Sequence, residues 1–210
     1  GADDAMGFCF VNNVAVAAEG VLAKGRADRV GIVDWDAHHA NGTQQYVTDQ
    51  PDAALVSLHQ AGLYPGTGRL EATDTDRVVN VALPADLGDA AYLEAFDRTV
   101  VPAMSAFDPD VVLVSCGFDP HAKDVLASQR LTADGFGLLA GAVCELADAL
   151  DAGVGVVLEG GYSLDVIGDC AVAMAEAFAG DVPPRPAYTT NRQLEAVIAE
   201  VERHPLVGSG

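Results

Sequence analysis

In the stretch V-D-W-D-A-H-H-A-N-G, Val33 to Gly42, an apolar run ends on two acids and two histidines before the chain turns. Along an extended segment, residues i, i+2 and i+4 share a face at about 3.3 Å rise per residue. Asp34, Asp36 and His38 therefore point the same way. Asp36 and His38 are spaced to meet at one ion as the strand bends into the Gly42 turn, while Asp34 lies deeper. Asp119, in C-G-F-D-P-H just past another apolar run, supplies a third donor. One imidazole and two carboxylates leave an open position on a Zn²⁺-like ion for water and a substrate oxygen, the arrangement of metal-assisted hydrolysis. The competing explanation of any single D-x-H is turn capping and core hydrogen bonding. Two acids within an apolar run are costly to bury without an ion, and that favours metal.

Such groups must be carried by a scaffold. Apolar runs rich in β-branched residues recur at Arg29–Asp36, Ala54–His59, Val78–Leu83, Val111–Gly117 and Val154–Glu159. Being continuous rather than alternating, they fit strands covered on both faces, as in a parallel sheet. Helical spacing lies between them over Val11–Lys24, Asp89–Phe107, Thr132–Leu150 and Leu164–Ala179. Thr132 with Asp134 marks a helix start, and Gly25 a stop. The alternation predicts an α/β fold, an open parallel sheet in three layers with helices on both faces. Residues 1–180 form the body of one domain. Residues 181–210 add the connection D-V-P-P-R-P, a last helix over Asn191–Arg203 and a frayed tail of the same domain. In such sheets ligands sit beyond the carboxyl ends of the strands. Those ends carry Asp34, Asp36 and His38; Ser57 and His59; Ser115 and Asp119; and Glu159 leading into Gly160-Gly161-Tyr162.

Against 11 Lys and Arg stand 31 Asp and Glu, a formal charge of −20. A surface so acidic excludes nucleic acid and anionic membranes as partners and tolerates cationic ones such as polyamines or lysine-rich peptides. Cys9, Cys116, Cys144 and Cys170 form no C-x-x-C pair and sit in apolar segments, which points to buried free thiols in a reducing cytoplasm. No apolar run is long enough to span a bilayer.

The chain resembles a histone deacetylase of the arginase/deacetylase superfamily, in the bacterial and class II-like branch that includes acetylpolyamine amidohydrolases. The stretches that carry the likeness are M-G-F-C-F-V-N-N-V-A-V-A-A, I-V-D-W-D-A-H-H-A-N-G-T-Q, V-S-L-H, Y-P-G-T-G, V-N-V-A-L-P, L-V-S-C-G-F-D-P-H and L-E-G-G-Y-S-L, in the family's order from Met6 to Leu164. The resemblance implies zinc on Asp36, His38 and Asp119. It gives Tyr162, after Gly160 and Gly161, the hydrogen bond to the substrate carbonyl and its oxyanion. It makes Phe8 and Tyr64 the aromatic walls of an acyl-lysine tunnel, with the Gly7 carbonyl beside them; pattern alone would make both core aromatics. It also implies a structural potassium ion on Asp34, Ser57 and the carbonyls of Asp36, His38 and Leu58. His39 and His59 are expected to be core groups satisfied by hydrogen bonds, and His121 to brace its loop.

The reaction that the resemblance implies is zinc-dependent hydrolysis of acetyl amides on lysine side chains or polyamines, releasing acetate. The family's tandem histidine pair belongs a few residues before Met6 and would fall ahead of Gly1. The chain is thus expected to lack the family's N-terminal part, to be impaired as an enzyme when alone, and to expose a sheet edge that invites aggregation or a homodimer. Two other readings stay open: a two-manganese ureohydrolase of the arginase type, and a catalytically silent module binding acetyl-lysine or polyamine. His39-Ala40-Asn41 after His38 argues against the first.

Overall fold

The five apolar runs become five parallel strands in the computed structural model, which describes residues 5–70, 75–188 and 191–208. They are β1 (Val30–Asp34), β2 (Ala53–Gln60), β3 (Val78–Leu83), β4 (Val111–Cys116) and β5 (Gly153–Leu158), in the spatial order β3-β2-β1-β4-β5. The central strand β1 pairs Asp34 with Ser57 of β2 on one side and Ser115 of β4 on the other. Three polar side chains are thereby brought level at the carboxyl end of the sheet.

Strand alternation sorts the core into two layers. Val30 and Ile32 of β1 face α1 (Asn13–Leu22) and α2 (Asn41–Asp49), where Val14, Ala18 and Val47 meet Leu55 and Leu113. Val33, Val56, Val81 and Val114 face the opposite way. There they pack under α3 (Asp89–Ala95), α4 (Val101–Phe107), α5 (Ala133–Leu150), α6 (Leu164–Phe178) and α7 (Arg192–Val201). Sequence signals at the helix ends hold. Asn12 caps α1 by accepting from Ala15 N at 2.9 Å, and Thr132 caps α5 by accepting from Gly135 N at 3.3 Å. Gly25, at φ 59°, closes the turn after α1.

Cys116 and Cys170 are buried as expected, but Cys9 is exposed because its segment lies on the rim rather than in the core, and four features of the fold depart from the sequence reading. The turn expected at Gly42 lies inside α2; its sequence N-G-T-Q-Q-Y-V-T-D has too few apolar residues to display helical spacing, and Arg77 Nη2 supports its last turn by donating to Val47 O at 3.1 Å. The helix expected over Asp89–Phe107 contains a π turn, Phe96–Val100, in which Val101 N donates to Phe96 O. Pro102 cannot donate to the fourth residue before it, and the wider register absorbs the loss. The segment after α7 is not frayed: Val207 is buried in the core and Val207 N donates to His204 O at 2.9 Å. Ser209 and Gly210, like Gly1 to Asp4, lie outside the described residues.

The fourth departure concerns β5, expected to be covered on both faces. It forms an edge of the sheet, and Val154, Val156 and Leu158 are exposed. No helix of the described residues is long and apolar enough to cross a membrane.

Candidate metal centre

Convergence at the carboxyl end of β1 is built by turns rather than by strand alternation. The strand stops at Asp34, two residues short of the expected Asp36. Asp34 Oδ1 then accepts from Asp36 N at 2.9 Å, and Asp36 Oδ1 accepts from His38 N at 2.8 Å. Two carboxylates in succession each bind the backbone N–H two residues on, which curls Asp36 and His38 over the strand end. Asp119, fully buried in the loop after β4, accepts from Ala37 N at 2.9 Å and so clips that curl from the neighbouring strand.

His38 Nδ1 lies 2.8 Å from Asp119 Oδ2 and 3.1 Å from Asp36 Oδ1. One ligand atom from each of the three residues lies within 4.8 Å of the others. A tetrahedral ion with bonds of about 2.0–2.2 Å holds its donors roughly 3.3–3.6 Å apart, so the set would need to open only by some tenths of an ångström to hold a single ion. Asp119 and then Asp36 push His38 up to about 10, so a proton on Nδ1 sits where a cation belongs. Asp119 is pushed up to about 6, by burial first, despite the His38 hydrogen bond that pulls it down. Asp34 is raised well above the ordinary carboxyl range by burial and by Asp36, and Glu159 is raised by burial and by Asp36. Four acids at the carboxyl ends of three adjacent strands are short of positive charge, which a cation on the donor set would supply.

Glycines make room for this crowding. A Cβ on Gly117 would stand 2.4 Å from Asp36 Oδ2 and 2.7 Å from both Asp119 Oδ1 and Asp36 Cα. Because one of those atoms is backbone, Gly117→Ala must displace the ligand pair. It is expected to weaken binding of any metal ion at this site by about tenfold or more, the scale found when groups supporting ligands are lost. Titration with a competing chelator reads this directly, and an unchanged affinity would contradict the crowding.

The loop after β5 closes over the same atoms. Gly160 N donates to Asp36 Oδ2 at 3.0 Å, and Gly160 O accepts from Phe118 N at 2.7 Å. Gly161 takes φ 138° with Phe118 Cβ where its own would point, and it does not line the cleft. Tyr162 follows, 40% exposed, its hydroxyl pushed up to about 12 by burial and then by Asp36 and Asp119. It therefore keeps its proton at neutral pH and can act as a donor. The Phe8 ring meets Tyr162 edge-on at 6.0 Å between centroids.

Phe8 and Tyr64 are 85% and 56% exposed and line one cleft of about 1560 Å³ with Gly7, Gly160, Asp36 and His38. They are rim residues, unlike the core aromatics that pattern alone suggests. No Lys or Arg lines that cleft among the described residues, whereas Glu19, Asp34, Asp36, Asp49 and Glu159 do. Of the residues expected around a monovalent ion, Asp34 and Ser57 stand side by side across β1 and β2. The Leu58 side chain turns into the core beneath them, leaving only its backbone for an ion.

His39 and His59 are satisfied groups, as expected. His59 Nε2 donates to Gly68 O at 2.9 Å and Nδ1 accepts from Ser57 Oγ at 2.9 Å. His39 bonds Thr67 Oγ1 and Gln44 Oε1, and the two rings lie 4.8 Å apart. Burial, reinforced by His39, lowers His59 to about 4. The folded chain therefore refuses a proton that the unfolded chain accepts below about pH 6.5. Stability is undiminished above that pH and is lost as pH falls toward 4, by roughly 3 kcal/mol at the lower end. Melting curves from pH 7 to 4.5 should show a steeper decline for the native protein than for His59→Gln; parallel curves would refute it. The comparison is needed because Asp119, with its raised value, shifts stability the opposite way below pH 6.

Two acids escaped the sequence reading as site residues. Glu159 was visible only as a polar strand end; it accepts from Ser115 Oγ at 3.3 Å and lines the cleft. Asp124 had no motif to mark it, yet its Oδ2 accepts from Tyr162 N at 2.6 Å and Ser163 N at 3.2 Å.

A parallel sheet with two carboxylates and an imidazole gathered at its carboxyl ends, helices on both faces, is the arginase/deacetylase class of α/β fold. Solved structures agree. The histone deacetylase Clr3 superposes with a TM-score of 0.82 at 40% identity, over 91% of this chain and 34% of that one. The HDA15 HD domain superposes at 0.88 and 35% identity, over 97% of this chain and 60% of that one. Residues 1–178 match the histone deacetylase domain. The chain belongs to the histone deacetylase family. It is 40% identical over 184 residues to a histone deacetylase-like amidohydrolase of Pseudomonas aeruginosa, 85% of this chain and 48% of that protein. It is 37% identical over 164 residues to a probable deacetylase of Archaeoglobus fulgidus, 76% of this chain and 45% of that protein. The chain thus spans about half the length of these curated relatives. Similar proteins include eukaryotic ones such as Clr3 of Schizosaccharomyces pombe, so the likeness is not confined to a bacterial branch. These matches do not favour the arginase-type reading.

Proposed function

We propose that this chain carries the metal-binding and oxyanion-stabilising part of a zinc-dependent deacetylase that cleaves acetyl amides of lysine side chains or polyamines. The observation that carries the reading is the meeting of Asp36 and His38 with the buried Asp119, at a cleft that Asp36 and His38 line together with Tyr162. Bound by those three residues, a zinc ion supplies Lewis-acid polarisation of the acyl carbonyl and acidifies a water. The remaining work belongs to the chain. Tyr162 donates its O–H to the carbonyl oxygen as negative charge gathers there. Phe8 and Tyr64 flank the apolar stem of the substrate. The acidic cleft, free of Lys and Arg among the described residues, favours a cationic substrate. Water adds to the acyl carbon, the C–N bond breaks, the amine takes up a proton, and acetate and amine leave. The buried Asp34, level with Ser57 on the next strand, suits a monovalent cation such as potassium.

Among the described residues a proton donor for the leaving amine is harder to find. Both ring nitrogens of His39 and of His59 are engaged elsewhere, and His121 packs on Phe136. The 210 residues alone are therefore inferred to turn over slowly. The test is elemental analysis combined with single-turnover hydrolysis of an acetyl-lysine peptide and of an acetylpolyamine, before and after chelation. One zinc per chain with zinc-dependent acetate release supports the reading. Two manganese per chain would favour the ureohydrolase; binding without any hydrolysis would favour the silent module.

A further inference from the structure

We infer that Asp124 is a positioning residue for Tyr162, acting through the backbone of the Gly160–Ser163 loop. Resting on the reading of Tyr162 as the oxyanion donor, the inference adds a residue that no motif marks. Asp124 belongs to the loop after β4, five residues beyond Asp119, and is 9% exposed. Its carboxylate is committed to three backbone N–H groups. Oδ2 takes Tyr162 N at 2.6 Å and Ser163 N at 3.2 Å, and Oδ1 takes Leu126 N at 2.9 Å. Hydrogen bonds from amides to an ionised carboxylate are roughly twice as strong as neutral ones.

The platform under Asp124 is itself fixed. Asp124 N donates to His121 O at 2.9 Å, His121 N to Phe118 O at 3.1 Å, and Ala122 N to Leu131 O at 2.9 Å. The front of the Gly160–Ser163 loop is tied to the metal centre through Gly160 N and Asp36 Oδ2. Between that tie and Asp124 lies Gly161, at φ 138°, a backbone conformation that costs glycine little and restrains it little. Asp124 therefore closes the open end of a hinge. Because Ser163 makes no side-chain cap for α6, the same carboxylate also stands at the N-cap of that helix, where negative charge is favourable. Leu126, the third client, lines the cleft, so one carboxylate fixes both a wall residue and the proposed donor.

The experiment combines Asp124→Ala and Asp124→Asn with Tyr162→Phe. It reads single-turnover deacetylation of an acetyl-lysine peptide, peptide affinity, zinc content, and hydrogen–deuterium exchange of peptides spanning 159–166. Displacing a reacting group by about 1 Å costs up to about 100-fold. Asp124→Ala is therefore expected to slow the chemical step about 10- to 100-fold while zinc content and peptide affinity stay within about twofold. Asp124→Asn, which keeps one acceptor oxygen, should fall between. In the Tyr162→Phe background the same changes should alter the rate less than about threefold, because they act through a hydroxyl already removed. Exchange at Tyr162 and Ser163 should quicken while β1 and α5 stay native. An equal slowing in both backgrounds, or native exchange in the loop, overturns the inference. If neither the native protein nor any variant hydrolyses the peptide, the functional reading fails instead, and loop exchange alone decides the fate of the Asp124 clamp.

Discussion

Asp119→Asn is expected to abolish zinc binding and hydrolysis while leaving the fold intact. The native carboxylate does two jobs, accepting from Ala37 N through Oδ1 and facing His38 Nδ1 through Oδ2. An amide keeps one carbonyl oxygen for Ala37 N but turns an NH₂ toward the imidazole, where it neither ligates nor accepts. The substitution also removes a fully buried charge that burial already pushes to about 6. Metal-free, the variant also loses the carboxylate that chiefly holds His38 protonated, so it should melt somewhat lower than the metal-free native protein while keeping its fold. With one of three ligands gone, zinc affinity should drop by more than about 100-fold, beyond the 10- to 100-fold typical of lost supporting groups. Calorimetric titration and elemental analysis would show it; one tightly held zinc per variant chain would mean that Asp119 is no ligand.

Tyr162→Phe removes one hydroxyl and leaves the ring that packs against Phe8. Loss of a single oxyanion donor costs about 10²–10³ in rate, or about 2.7–4 kcal/mol of transition-state stabilisation. The expected result is a fall of that size in the single-turnover rate, with peptide affinity and zinc content little changed. A donor that binds ground state and transition state alike would instead raise the apparent KM and spare the rate. That outcome would make Tyr162 a wall of the cleft and return the chemistry to the metal ligands alone. No pH adjustment should rescue the variant, because the native hydroxyl, pushed up to about 12, is protonated throughout the neutral range.

Much of this architecture was legible in the chain. Continuous runs such as Val78–Leu83 marked the strands because a strand buried on both faces has no polar side to interrupt it. Asp36, His38 and Asp119 were legible because acids at the ends of such runs conflict with burial unless something compensates. Other features were hidden for physical reasons. In α2 the polar residues obscure the helical period, and its support comes from Arg77, distant in sequence. The π turn follows from Pro102, whose effect depends on where the surrounding helix is packed. Sequence spacing brought Asp36 and His38 together by extending the strand, whereas the chain curls them through two successive carboxylate turns. Asp124 was invisible because the two clients that tie it to the site are backbone amides 38 and 39 residues away, and backbone leaves no mark on composition.

The bond from Gly160 N to Asp36 Oδ2 has a thermodynamic meaning that its length of 3.0 Å does not convey. It makes one carboxylate available to two partners, the proposed cation on one side and the loop bearing Tyr162 on the other. Binding free energies joined in this way are reciprocal. The factor by which an ion on Asp36 would change the ordering of the loop is the factor by which the ordered loop would change the ion's affinity. A substrate held against Tyr162 would thereby be felt at the metal site through one shared carboxylate.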